Sequence, residues 1–414
     1  MTSRPVRVVV AQRGAREHYM AATALERAGA LAALVTDWYA PESGPWRDVL
    51  ALGGSAGRRM LAARTDALPD SRVVAFRART LGARVLESLR ARGAQDYRDF
   101  LAADRQFAAR LVEADLPEHD VLFLYSYAAL EALQAASRRG TLTVLDQIDP
   151  GPVEFRRVQE EAVAWPQYAS GPLPFPEEYF ARLREEWRLA DVVVANSEWT
   201  REALLAEQVP AEKIEILPLA FDASSVQPAQ PVPAAKLRVL WLGQVNLRKG
   251  IPYLVEAARR LVDEPVEFQV VGALQIPESA RALAPANITW RGPVPRSAVG
   301  ECYAAADVFV LPTVSDGFAI TQLEALAHGL PVVTTTNCGR VVEDGRNGYL
   351  VPARDPQALA EALRRFVRDR QLAVRMRPAC LARAREFGPD AYQARLLQII
   401  RERSEARRRA AGCH

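Results

Sequence analysis

Short β-branched and aliphatic runs alternate with helical stretches along almost the whole of this 414-residue chain. Strands separated by a helix cannot pair as hairpins, so such a chain folds into parallel sheets covered by helices on both faces. In the first half the runs expected as strands are Arg7–Ala11, Ala32–Thr36, Val121–Tyr125, Thr141–Leu145, Val192–Ala195 and Ile214–Leu217. A long helical insert rich in Ala, Arg and Leu separates Pro41 from Leu116. A second helical region, Pro152–Leu189, is interrupted by Pro166, Pro172, Pro174 and Pro176, which read as a loop.

The alternation then stops and restarts. Residues 226–235, Val-Gln-Pro-Ala-Gln-Pro-Val-Pro-Ala-Ala, lack apolar periodicity and read as a linker. Beyond them the expected strands are Leu237–Leu242, Glu267–Val271, Ile288–Arg291, Val308–Leu311 and Val332–Thr335, with helices near Ile251–Val262, Arg296–Ala304, Thr321–His328 and Pro356–Arg370. The fold class is therefore α/β: two Rossmann-like domains, 1–225 and 236–388, facing an interdomain cleft. A C-terminal helix, 389–414, is expected to pack back toward the first domain.

Charge and cysteine content exclude several classes of function. The 53 basic residues against 50 acidic ones leave +3, with no basic stripe for nucleic acid. Cys302, Cys338, Cys380 and Cys413 are far apart, which disfavours a disulfide framework or a zinc site. No apolar run approaches the roughly 18–20 residues that span a bilayer, and the first residues lack a signal peptide's apolar core. A cytoplasmic protein is expected, with weak peripheral contact at the inner membrane face as the alternative that the basic segment Arg401–Arg409 leaves open. Only Lys213, Lys236 and Lys249 are lysine, so each draws attention.

Two segments carry chemistry. In Trp241-Leu-Gly-Gln-Val-Asn-Leu-Arg-Lys-Gly250 a strand ends at Gly243, and Gln244 and a loop follow. Arg248 and Lys249 stand side by side just before a helix that opens at Gly250, with Pro252 in its first turn. Loops at strand carboxyl ends bind ligands in such sheets, and a helix N-terminus suits phosphate. Two adjacent cations would clamp a diphosphate, although a solvated basic loop has the same composition. In the second segment, Ser315-Asp-Gly-Phe-Ala-Ile-Thr-Gln-Leu-Glu324, a strand feeds a loop and then a helix. Asp316 and Glu324 would accept hydrogen bonds from paired hydroxyls, and the backbone of Gly317, Phe318, Ala319 and Ile320 would offer N–H groups to phosphate. Each alone is also compatible with an ordinary helix entry.

Taken together, these segments resemble the retaining nucleotide-sugar glycosyltransferases of the GT-B fold, glycosyltransferase family 4. Val193-Val-Ala-Asn-Ser-Glu-Trp-Thr200, Lys213-Ile-Glu-Ile-Leu-Pro218 and Asp344-Gly-Arg-Asn-Gly-Tyr-Leu-Val-Pro352 extend the likeness, which is dense from Asp191 to Phe387. The resemblance implies that Arg248 and Lys249 hold the donor's diphosphate, that Glu324 takes the ribose hydroxyls and Asp316 the transferred sugar, and that the Val294 backbone faces the nucleobase. Arg248, Lys249 and Asp316 would be the catalytic set. Two departures stand out: Gln244 replaces the family's common Arg, and Asp316 its usual Glu. The resemblance also implies independence of metal and of any cofactor beyond the co-substrate, a UDP- or GDP-sugar.

In the first half, Gln12, Gly14 and His18 follow the first strand and would face the acceptor, Gly14 allowing close backbone approach. His18 reads equally as a surface or packing residue. Asp149 is first a turn residue in Asp-Pro-Gly, and as a second reading orients the acceptor. The aromatic residues of Trp38–Trp46 and Trp165–Tyr179 read first as packing and second as an acceptor groove. The expected activity is transfer of a glycosyl group, a hexosyl most simply, to a glycan, lipid-linked or small-molecule hydroxyl. A nucleotide-sugar epimerase or hydrolase of the same fold, or a catalytically silent sugar-nucleotide-binding module, is the alternative. A dinucleotide oxidoreductase is disfavoured because no strand runs into GxGxxG.

Overall fold

A computed structural model describes residues 6–43, 45–52, 54–65, 67–77, 97–228 and 235–412. Residues 229–234 of the expected linker, 78–96 of the helical insert, Cys413 and His414 lie outside them. Two parallel sheets form. The first has seven strands: β1 Val8–Gln12, β2 Leu31–Thr36, β3 Val73–Ala75, β4 Val121–Tyr125, β5 Leu142–Gln147, β6 Val192–Ala195 and β7 Ile214–Ile216. Their order is β3-β2-β1-β4-β5-β6-β7. The second has six: β8 Leu237–Leu242, β9 Val266–Val271, β10 Ile288–Gly292, β11 Val308–Leu311, β12 Val332–Thr335 and β13 Gly348–Val351, ordered β10-β9-β8-β11-β12-β13.

Alternation within each strand explains why both faces are covered. Val9 and Ala11 of β1 point into one apolar cluster, Val8 and Val10 into another, and all four are buried. The chain order reverses in the same way in both sheets, between β1 and β4 and between β8 and β11. Crevices open at such reversals, outside the strand carboxyl ends, because the flanking connections run to opposite sides. The two domains are thus Rossmann-like, as the alternation predicts.

Elements outside the sequence reading are short or weakly patterned. β3 has only three residues, none fully buried. β13 is an edge strand, and the helix Leu372–Glu386 carries Pro378 in its interior. The last helix, Pro389–Gly412, lies on the first sheet. Tyr392, Leu396, Ile399 and Ile400, spaced for one helical face, are buried in the cluster that holds Val8, Val10 and Phe123.

Candidate active site

The two loops carrying the sequence motifs leave adjacent strands, β8 and β11, at the reversal of the second sheet. Their fit explains two glycines. Gly250 has φ +72°, and a Cβ there would lie 1.8 Å from the Pro312 carbonyl oxygen, so only glycine lets the helix Ile251–Arg260 start against the β11 loop. The Arg248 carbonyl accepts from Val314 N at 2.9 Å and Thr313 Oγ1 at 3.1 Å, joining the loops through backbone. Asn246 Oδ1 accepts from Lys249 N at 3.1 Å and sets the turn that points both cations the same way.

What the loops assemble is a charge cluster. Lys249 Nζ contacts Asp316 Oδ2, and Arg248 Nη1 lies 3.6 Å from Asp316 Oδ1 and 3.5 Å from Glu154 Oε1. Ser315 Oγ donates to Glu154 Oε2 at 3.0 Å and accepts from Trp199 Nε1 at 3.0 Å. Burial, then the neighbouring Arg248 cation, pulls the Lys249 ammonium well below its ordinary range. Burial likewise pushes the Glu154 carboxyl up, against Arg248. None of the N–H groups from Gly317 to Ile320 donates to a backbone carbonyl among the described residues, although Gly317, Phe318 and Ala319 are buried and Ile320 is half-buried. N–H groups left open where a loop enters a helix can receive an anion.

Glu154 is the member that sequence reasoning missed. It sits in the first turn of the helix Pro152–Ala164 and reaches the cluster only because that helix crosses to the second domain. Tyr253 OH donates to Glu161 Oε2 at 2.7 Å, and Arg354 pairs with Glu160 and Glu161. The Asn196-Ser197 motif works across the same boundary. Ser197 caps the helix Glu198–Ala206 and donates to the Gly317 carbonyl, and a Cβ on Gly317 would lie 2.6 Å from the Ile148 carbonyl oxygen.

Glu324 stands apart from this cluster. Its Oε2 accepts from Tyr303 OH at 2.8 Å, and His328 stacks on the Tyr303 ring at 4.7 Å. Gly243 and the exposed Gln244 begin the β8 loop, and Val294 lies beyond β10, half-buried against the second core. In the first half, Gln12 is buried and its Nε2 donates to the Gly14 and Arg16 carbonyls, while Gly14 N donates to Asp37 Oδ1 at 2.7 Å. These two therefore build their own loop. His18 reaches across the cleft and accepts from Arg296 Nη1 through Nε2 at 2.9 Å. Burial and the Arg296 cation lower its pKa, which keeps the ring a neutral acceptor. Asp149 closes a turn through Gly151 N at 2.9 Å and accepts from Tyr127 OH at 2.6 Å.

A cavity of about 590 Å³ lies between the carboxyl ends of the two sheets. Arg248, Glu154 and Asp149 line it, together with Arg13, Arg16 and several aromatic rings; Lys249, Asp316 and Glu324 do not. Among the described residues no group of three His, Cys, Asp or Glu side chains is placed to hold a metal ion, and no helix is long and apolar enough to cross a membrane.

Two Rossmann-like domains with a charged cluster in the cleft between them define a GT-B protein. The solved structure of HepE from Anabaena, in complex with UDP and glucose, has this fold: TM-score 0.63 at 16% identity, covering 95% of this chain and 99% of that one. Sucrose-phosphate synthase from Thermosynechococcus elongatus superposes with TM-score 0.62 at 18% identity over 97% of this chain and 100% of its own. At those identities the likeness is one of fold. Residues 236–369, within the second domain, match the family model for glycosyl transferases group 1. The D-inositol 3-phosphate glycosyltransferase of Streptomyces avermitilis is 29% identical over 277 residues, 59% of each chain. A colanic acid biosynthesis glycosyltransferase of Escherichia coli, WcaL, is 29% identical over 45% of this chain and 50% of its own. The chain spans about three-fifths or less of the length of these relatives.

Proposed function

We propose that this protein is a retaining glycosyltransferase, moving a sugar from a nucleotide-diphosphate sugar to an acceptor hydroxyl without a metal ion. Residues 236–388 hold the donor, 1–225 hold the acceptor, and 389–414 tie the two together. The observation that carries this reading is the convergence of Arg248, Lys249 and Asp316 beside the unclaimed N–H groups of Gly317–Ile320. Cations and free N–H groups at a strand-order reversal suit a diphosphate, and HepE, of the same fold, is seen with UDP. UDP- or GDP-sugars are the donors this chemistry accommodates.

In the reaction, the bond from the anomeric carbon to phosphate oxygen breaks as the acceptor oxygen bonds to that carbon on the same face. The acceptor's proton leaves on the diphosphate. The protein's work is then to stabilise charge growing on the leaving group, which falls to Arg248 and Lys249, while Asp316, released from Lys249 by the incoming diphosphate, takes sugar hydroxyls. Glu324 and the Val294 backbone serve the nucleoside, and His18 stands at the acceptor side. Lys249→Ala is expected to lower turnover about 10²–10³-fold, the scale of removing one preorganised charge partner, with a far smaller loss of stability. Steady-state transfer and thermal melting measured side by side check this; near-wild-type transfer would take Lys249 out of the role.

A further inference from the structure

We propose that the cavity beside Arg248 is the acceptor site and that it takes an aromatic, largely apolar molecule bearing a hydroxyl, such as a phenol. This rests on the reading of the chain as a nucleotide-sugar glycosyltransferase. At about 590 Å³ the cavity matches a small molecule of drug size. Its walls are rings: Tyr97 meets Tyr179 at 5.3 Å and Phe155 at 5.6 Å, both edge to face, and Tyr127 stacks on Tyr179 at 4.8 Å. Such rings offer a flat guest further edge and face contacts.

Several polar groups on these walls are already engaged within the protein. Tyr127 OH is given to Asp149, whose Oδ1 also accepts from Gly151 N. Glu154 is held by Ser315 and Arg248, and Arg13 by Asp104 at 2.7 Å. A sugar or polyol would lose water on entering and lay much of its hydroxyl-bearing surface against ring faces that offer it no partner, which disfavours it wherever a hydroxyl is left unpaired. An aromatic body loses nothing of that kind. The cavity's polar end is where Arg248 and Glu154 meet the proposed donor cluster, so a single hydroxyl is presented there. Its oxygen would bond to the anomeric carbon while its proton leaves on the diphosphate. Arg16 lines the same wall and adds a cation that an aromatic guest can meet.

The test uses the full chain with umbelliferone, a fluorescent hydroxycoumarin, titrated in the presence of UDP. Saturable binding is expected. Leu173→Asp and Ser170→Trp alter the exposed rim, where neither side chain is part of the folded core. Both are expected to raise the umbelliferone Kd at least tenfold while UDP-induced thermal stabilisation stays unchanged. UDP or GDP stabilisation without umbelliferone binding would overturn this proposal alone. So would inositol phosphate or a polyprenyl phosphate occupying the cavity in its place, read as a Kd sensitive to the same two substitutions. Absence of stabilisation by UDP and GDP alike would overturn the donor reading and this proposal with it.

Discussion

Glu17 is the first of three consecutive residues with left-handed backbone, Glu17, His18 and Tyr19 at φ 49°, 50° and 63°. Conformations of that kind cost energy in residues other than glycine and persist where surrounding contacts enforce them. Here the turn brings the Glu17 carboxyl in beside Tyr125 OH, 3.4 Å away, near buried Asp146. Burial pushes Glu17 up from 4.5 to about 7, with Arg16 and the tyrosine hydroxyl opposing. The sign follows: the native state keeps the proton to about 7, while the unfolded chain loses it near 4.5. Stability is intact below 4.5 and declines as pH rises through 7. Because the residue keeps some exposure, the decline is discounted to about 2 kcal/mol from the full linkage value. Glu17→Gln should therefore melt with the wild type at pH 4 and above it at pH 8. Matching denaturation curves at pH 8 would mean that the carboxylate carries no such penalty.

At the scale of elements, the loops at the carboxyl ends of β8 and β11 act as one unit, and Gly250 is the joint. Gly250→Ala forces a strained φ and a 1.8 Å approach to the Pro312 carbonyl, so both loops must shift. The expected loss is about 3 kcal/mol, within the range for such backbone clashes, accompanied by weaker UDP binding. Urea denaturation and nucleotide-induced thermal shift measure the two. A variant of normal stability and normal UDP affinity would show that the joint tolerates a methyl group.

The same elements mark how far the sequence could be read. Strands such as Val121–Tyr125 and Val308–Leu311 were legible because buried parallel strands need continuous apolar runs. β3 was not, because three half-buried residues have no period to detect. The helix Leu372–Glu386 was hidden by Pro378 and by arginines distributed around its surface. Within the site, Arg248, Lys249 and Asp316 were legible from local spacing, since each follows a strand of the second sheet. Glu154 was not, because its partners Arg248 and Ser315 lie 94 and 161 residues away and meet it only through tertiary packing. Asn196 and Ser197 were visible as a motif, yet their contact with the Gly317 loop needed the structure.

In the whole molecule, the chain enters the second domain after residue 228 and returns to the first near Phe387, whose carbonyl accepts from Phe221 N at 2.9 Å. The helix Pro389–Gly412 then covers one face of the first sheet. Its exposed pair, Arg27 with Asp390, contributes little, because both side chains are about half exposed or more and screened by water. Glu215 is better shielded and receives Arg395 and Arg403 at 2.8 and 2.6 Å, which fixes the helix's register. The main stabilisation comes from apolar burial by Tyr392, Leu396, Ile399 and Ile400. Leu396→Ala should cost about 2–5 kcal/mol, the usual range for a leucine cavity in a packed core. The loss should be confined to the first domain. Hydrogen exchange should accelerate in β1 and in the helix Met20–Arg27, which packs against the last helix, while β8 to β12 keep their protection. Equal acceleration in both sheets would show instead that the C-terminal helix stabilises the molecule as one cooperative unit, with no separate allegiance to the domain it covers.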